Sequence, residues 1–278
     1  MDTMKKKPKK IKKGRPRRDR KEIQKDGYRL SAYKKRKGKS VKPYPLRINV
    51  EKEKGMDEGE YQYLRIAYFI EHYLKLPSGK PFILRPWQKE ILGDLFGTLN
   101  EDGTRQYRKA YISMGRKNAK TTLSAAIILY FLCVLSEDER FMEIYSCAGN
   151  REQAGIVFSI ASAMVKQSAE LSKILRVVDY TKKVRNARTD ASYTVVSREH
   201  STKHGVNAKL IIFDEVFNQP DDLLWSAMEK SQGAQSEPLM IGITTAGSNR
   251  ESLCRRLYEY GKRVNTGEVN DPTFYCKI

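Results

Sequence analysis

Two short stretches of this chain carry residue types that could do chemistry together. The first is Lys120-Thr121, which ends a loop between an apolar run, Ala110-Tyr111-Ile112, and an apolar stretch from Leu123 to Leu132. A strand, a small-residue turn and Lys-Thr at a helix start can hold a phosphate chain. Backbone N–H groups and the helix N-terminus attract the anion, the lysine reaches the β- and γ-phosphates, and the threonine hydroxyl takes Mg²⁺. The second stretch is Asp214-Glu215, two carboxylates that close the apolar run Leu210 to Phe213. Ligands of open α/β sheets bind at the carboxyl ends of the strands, so both acids are expected to face Lys120. Asp214 would orient Mg²⁺ through its water shell, and Glu215 would polarise an attacking water. Two adjacent acids at a buried strand end are costly without a cation or hydrogen bonds; the competing reading is a helix N-terminal cap.

The loop departs from the G-x-x-x-x-G-K-[ST] pattern, with Met114 and Ala119 at the two glycine positions. Gly115 and Asn118 are expected to supply the backbone angles that the missing glycines would have allowed. The candidate nucleotide-binding set is Gly115, Arg116, Lys117, Asn118, Ala119, Lys120, Thr121 and Thr122; a plain strand-to-helix turn with a surface lysine is the alternative. Arg116 and Lys117 are candidates for stabilising γ-phosphate charge, and Arg151 and Arg198 are weaker candidates for a finger lent by a neighbouring subunit. Thr244-Thr245 ends the apolar run Leu239 to Ile243. If that strand inserts between the loop strand and the Asp-Glu strand, these threonines lie near the γ-phosphate; otherwise they are a β-favouring pair before a turn. Gln88, 32 residues before Lys120, is placed to read adenine, or is a solvent-facing helical glutamine. His200 and His204 lack a cysteine pair, so zinc is not expected.

The elements that must position these residues follow from periodicity. Helices are expected over Tyr61–Leu76, from Pro86 with Trp87, Ile91, Leu92, Leu95 and Phe96 on the buried side, over Leu123–Leu132, Arg151–Lys166, Asp221–Lys230 and Arg250–Arg263. Strands are expected at Ala110–Ile112, Glu143–Ala148, Ser192–Ser197, Ala208–Phe213 and Leu239–Thr244. This alternation predicts an α/β fold, a parallel sheet flanked by helices on both faces.

A chain of 278 residues suits one large domain. Its net charge of +20 is uneven: Met1–Arg47 holds 21 of the 53 Lys/Arg and 4 of the 33 Asp/Glu, so the remaining residues carry only +3. The expected division is a basic, disordered arm at 1–47 and a folded domain at 48–278. Gly14-Arg15-Pro16 is similar to a minor-groove hook, with Arg15, Arg17 and Arg18 as the DNA-contacting residues; the plainer reading is a polybasic arm on phosphates. Tyr28, Tyr33 and Tyr44 could stack on bases or be solvated. No uninterrupted apolar run of membrane-spanning length and no signal-like N-terminus is seen, so an intracellular, membrane-free protein is expected. Cys133, Cys147, Cys254 and Cys276 are expected to be reduced core thiols.

In order, FIEHYLKLPSGKPFILRPWQKEIL, SMGRKNAKTTLSAA, NREQAGIVF, HGVNAKLIIFDE and GITTAG resemble the large terminase subunit of tailed bacteriophages, over roughly Ile66 to Arg263. The resemblance implies a P-loop (RecA/ASCE-like) ATPase that threads double-stranded DNA through a portal into a prohead, in the bacterial host cytoplasm. It would work as a homo-oligomeric ring with a small terminase subunit and the portal protein as partners. It further implies ATP and Mg²⁺ as cofactors, Gln88 in the adenine motif, Lys120 and Thr121 on phosphate and Mg²⁺, Arg116 as the loop arginine, Asp214 and Glu215 as the metal and catalytic acids, and Thr244-Thr245 as coupling residues. Such proteins normally continue into an RNase H-like nuclease with clustered carboxylates. No such cluster is assignable before Ile278, so no nuclease is expected from this chain. The rival readings are a helicase-like DNA translocase, which needs a second lobe for which no room is left, and a non-enzymatic DNA-binding remnant with a vestigial nucleotide site.

Overall fold

The computed structural model describes residues 46–197, 206–247, 249 and 251–278. The expected contacts of Arg15, Arg17, Arg18, Tyr28, Tyr33, Tyr44, Arg198, His200 and His204 lie outside these residues, as does the side chain of Arg151. The core takes in Leu46 and Ile48, and the Arg47 carbonyl accepts a hydrogen bond from Tyr73.

Helix α1 (Glu58–Tyr73) starts three residues before the apolar periodicity because Asp57 accepts from the N–H groups of Gly59 and Glu60 and caps it. Helix α2 (Pro86–Gly97) begins at a proline, whose missing N–H is not needed there. Ile91, Leu92, Leu95 and Phe96 are buried on its inner side. Strand β1 (Lys109–Ser113) then leads through the loop into α3 (Lys120–Cys133). That helix is apolar all round, which suits only a helix packed on every side. It lies between the sheet and helices α1 and α4 (Arg151–Gln167). The segment Lys120–Glu137 meets the length and hydropathy of a membrane span, but 78% of it is buried within the domain.

Strands β2 (Glu143–Ala148), β5 (Ser192–Ser197), β6 (Ala208–Asp214) and β7 (Leu239–Thr244) fall where alternation placed them. Among the described residues, four further α-helical and strand elements went unread: the short helix α5 (Leu171–Ile174), β3 (Leu175–Val178), β4 (Lys183–Asn186) and the edge strand β8 (Phe274–Lys277). Each spans four residues, too few for a periodic signal. The sheet order is β3-β4-β5-β2-β6-β7-β1-β8. It is mixed rather than wholly parallel: β4 runs antiparallel to β3 and β5, because a hairpin needs only a turn where a parallel pair needs a crossover.

The larger core cluster packs α1–α5 on one face. A smaller one lies on the other face under α6 (Leu223–Lys230) and α7 (Leu253–Asn265), built on Tyr111, Phe213, Trp225 and Met240. All four cysteines are free and buried.

Candidate active site

The site is built where β1, β7 and β6 end side by side. Strand β7 inserts between the other two, as the position of Thr244-Thr245 required. Its last residues clamp both halves: the Thr244 carbonyl accepts from Met114 N–H at 3.0 Å, and the Ile243 carbonyl from Glu215 N–H at 2.8 Å.

Between β1 and α3 the left-handed backbone angles fall at Lys117 (φ 64°) and Ala119 (φ 56°), not at Gly115 and Asn118 as expected. A left-handed residue with a Cβ costs about 1–2 kcal/mol, and the surrounding hydrogen bonds hold it there. Asn118 Nδ2 and Lys120 Nζ both donate to the Gly115 carbonyl, at 3.2 and 3.1 Å. Leu123 N–H bonds the Ala119 carbonyl at 3.1 Å and starts the helix. Asn118 thus shapes the loop through its side chain. Arg116 and Lys117 are exposed on the rim, and Thr122 is half-buried in the first turn of α3.

Lys120 is buried, with Nζ also 3.4 Å from the Met114 carbonyl and 3.9 Å from Glu215 Oε1. A buried ammonium needs such partners, and carbonyls are weaker ones than phosphate oxygens. Thr121 Oγ1 donates to Asp214 Oδ2 at 2.9 Å. The other Asp214 oxygen, Oδ1, is buried without a hydrogen-bond partner. Burial is the main cause that raises the Asp214 pKa from 3.8 to about 6; the neighbouring Glu215 adds to it, and the Thr121 hydroxyl and Lys120 oppose it. A buried carboxylate with one orphan oxygen beside a threonine hydroxyl fits a hard divalent cation, whose preferred ligands are oxygens.

Glu215 leaves β6 in a left-handed conformation (φ 56°), which turns its side chain away from the strand direction. Its Oε2 accepts from Thr245 N–H at 3.2 Å and from Thr245 Oγ1 at 3.4 Å. The two threonines therefore differ in role. Thr244 is fully buried, donating to the Thr245 carbonyl and accepting from Phe217 N–H, so it braces the turn. Thr245 holds the acid. Gln88 is buried, with Oε1 accepting from Arg85 N–H at the start of α2; its neighbour Trp87 has a buried indole N–H without a partner.

This geometry joins a strand-to-helix loop closed on a buried lysine, an Asp–Thr pair suited to a divalent cation and a carboxylate held by a third strand. The sequence family described as the terminase large subunit, ATPase domain, matches residues 86–263, which include every element of the site. The chain belongs to this family. A terminase large subunit of Enterobacteria phage HK97 is 35% identical over 195 residues, covering 68% of this chain and 38% of that protein. The crystal structure of the HK97 bacteriophage large terminase superposes with a TM-score of 0.68 at 33% identity, covering 80% of this chain and 44% of that one. The chain thus spans about two fifths of the length of these relatives.

Proposed function

We propose that this terminase chain is the ATPase motor of viral DNA packaging, coupling Mg²⁺-dependent ATP hydrolysis to movement of double-stranded DNA into a prohead. The observation that carries the reading is the pairing of Thr121 with an Asp214 whose second oxygen is buried and unpartnered. A purely structural aspartate would be satisfied on both sides. Bound there, Mg²⁺ would neutralise phosphate charge, with Thr121 and Asp214 as the residues that hold it. Lys120 exchanges the Gly115 and Met114 carbonyls for β- and γ-phosphate oxygens, and the N–H groups of Gly115–Thr122 cradle the chain. Arg116, on the rim, adds charge stabilisation at the γ-phosphate.

Glu215 polarises the attacking water. In the resting site its carboxylate is tied to Thr245, so hydrolysis requires it to shift, and that shift passes through Thr245 and Thr244 to β7. Gln88 reads adenine through its amide edge, with Oε1 leaving the α2 cap where needed. By family analogy the partners are duplex DNA, a small terminase subunit and a portal protein, with copies of the motor in a ring in the host cytoplasm. Residues 1–47 carry the basic arm, whose last two residues, Leu46 and Arg47, already pack on the motor domain at 48–278.

The test is ATP turnover by the purified chain with Mg²⁺, with and without duplex DNA, beside Glu215→Ala and Lys120→Ala. Loss of a general base lowers kcat by about 10²–10⁴-fold, so Glu215→Ala should bind ATP and barely turn over, while Lys120→Ala should bind poorly. Absence of ATP binding by the parent chain would sink the motor reading.

A further inference from the structure

The hairpin β3–β4 extends the sheet beyond the helices that cover its second face. Leu175, Val177 and Val184 belong to the large core beneath α4 and α5. The alternate residues, Arg176, Val178, Lys183 and Arg185, point the other way. The core under α6 and α7 reaches only to Val196 on β5 and includes no residue of β3 or β4, so Arg176, Val178 and Arg185 are exposed.

Charge on this face is unbalanced. Arg176 lies directly opposite Arg185 across the ladder, and Lys183 and Arg185 stand opposite Thr194 and Ser192 of β5. Like charges directly opposite one another weaken a sheet. Among the described residues the acid paired on this face is Asp190, shared between Arg185 at 2.7 Å and Arg140 at 3.4 Å. Among the described residues Arg176 and Lys183 have no ion-pair partner. Arg176, Lys183 and Arg185 against Asp190 leave this face a net of +2, and Arg140 brings a further positive charge to Asp190. At the hairpin tip Tyr180 is 95% exposed.

We infer that this uncovered wing of the sheet is a docking surface for the phosphate backbone of double-stranded DNA. The inference rests on the motor reading for its choice of polyanion. Arg176, Lys183 and Arg185 supply the charge, and Ser192 and Thr194 add hydroxyl donors, the residue types that position nucleic-acid backbones. Tyr180 projects from the tip towards the duplex. Because β3 runs parallel to β5, this tip lies on the same edge of the sheet as Asp214, four strand spacings away, or about 19 Å at the usual ~4.8 Å interval. DNA held there would sit beside the nucleotide site without touching it.

The test compares the full chain with its Arg176→Gln/Lys183→Gln/Arg185→Gln variant, using a short fluorescent duplex and anisotropy over a range of salt. The N-terminal arm contributes equally to both. Loss of three phosphate contacts should flatten the slope of log K against log salt by about 2.7. An unchanged slope overturns the proposal and leaves the wing as a surface for something other than DNA. A photo-crosslinking residue in place of Tyr180 gives a second reading that does not depend on the triple variant's folding: it should label duplex DNA, and failure to do so while the chain binds DNA also overturns the proposal. DNA-free ATP turnover should match in parent and variant. A parent that hydrolyses no ATP but shows the slope change would count against the motor reading alone.

Discussion

Asp214→Asn should make this protein more stable at pH 7 while abolishing the Mg²⁺-dependent turnover proposed for it. The native carboxyl has a pKa raised to about 6 from 3.8, chiefly by burial. The native state therefore binds more protons than the unfolded chain between those values, and stability falls as pH rises through that window, then levels off. A shift of about 2 pKa units costs about 3 kcal/mol at neutral pH, at 1.36 kcal/mol per unit. Asparagine keeps an acceptor for Thr121 Oγ1 and removes the charge. For a domain of this size the gain corresponds to a rise in Tm of roughly 6–12 °C, as an upper bound. Thermal melts of both proteins between pH 4 and 8, with and without Mg²⁺ and ATP, read this directly. The variant's advantage should be full at pH 7, shrink as pH falls through 6 and vanish below 4, and only the parent should gain stability from Mg²⁺. An asparagine variant that is no more stable at pH 7, or an advantage that does not depend on pH, would refute the account of a carboxylate buried for a cation.

The same ionisation sets an acid limb on turnover. ATPase activity at low Mg²⁺ should fall as pH drops through about 6 and Asp214 takes up a proton, and higher Mg²⁺ should move the limb to lower pH; a pH–rate series at two Mg²⁺ concentrations checks both. Ala119→Gly relieves a left-handed alanine at φ 56° and should stabilise the fold by up to ~1 kcal/mol in urea denaturation with ATP binding retained. Gly149→Ala places a Cβ 2.4 Å from the Asn218 carbonyl. It should cost about 1–3 kcal/mol and lower kcat, because the displaced backbone is the turn that follows Glu215.

Much of the site was readable in the chain because each half is local. Lys120-Thr121 at the seam between an apolar strand and an apolar helix, and Asp214-Glu215 after a run of buried residues, are patterns of a few consecutive positions. The five long strands and the major helices announced themselves by period and hydropathy in the same way. Strand β7 could be placed in the site only conditionally, since nothing in Leu239–Thr244 says which strands flank it. Its insertion between β6 and β1 is a long-range pairing.

Other features exist only once the sheet is assembled. The strained angles at Lys117 and Ala119 depend on the Gly115 carbonyl collecting two hydrogen bonds, which no propensity encodes. The division of labour between Thr244 and Thr245 follows from which hydroxyl faces Glu215 across a strand boundary. The basic wing was invisible because β3 and β4 are four residues each, and because an arginine opposite an arginine is a fact of register. Local composition decided what chemistry this protein could attempt; tertiary contact decided which atoms are left without partners and are therefore available to do it.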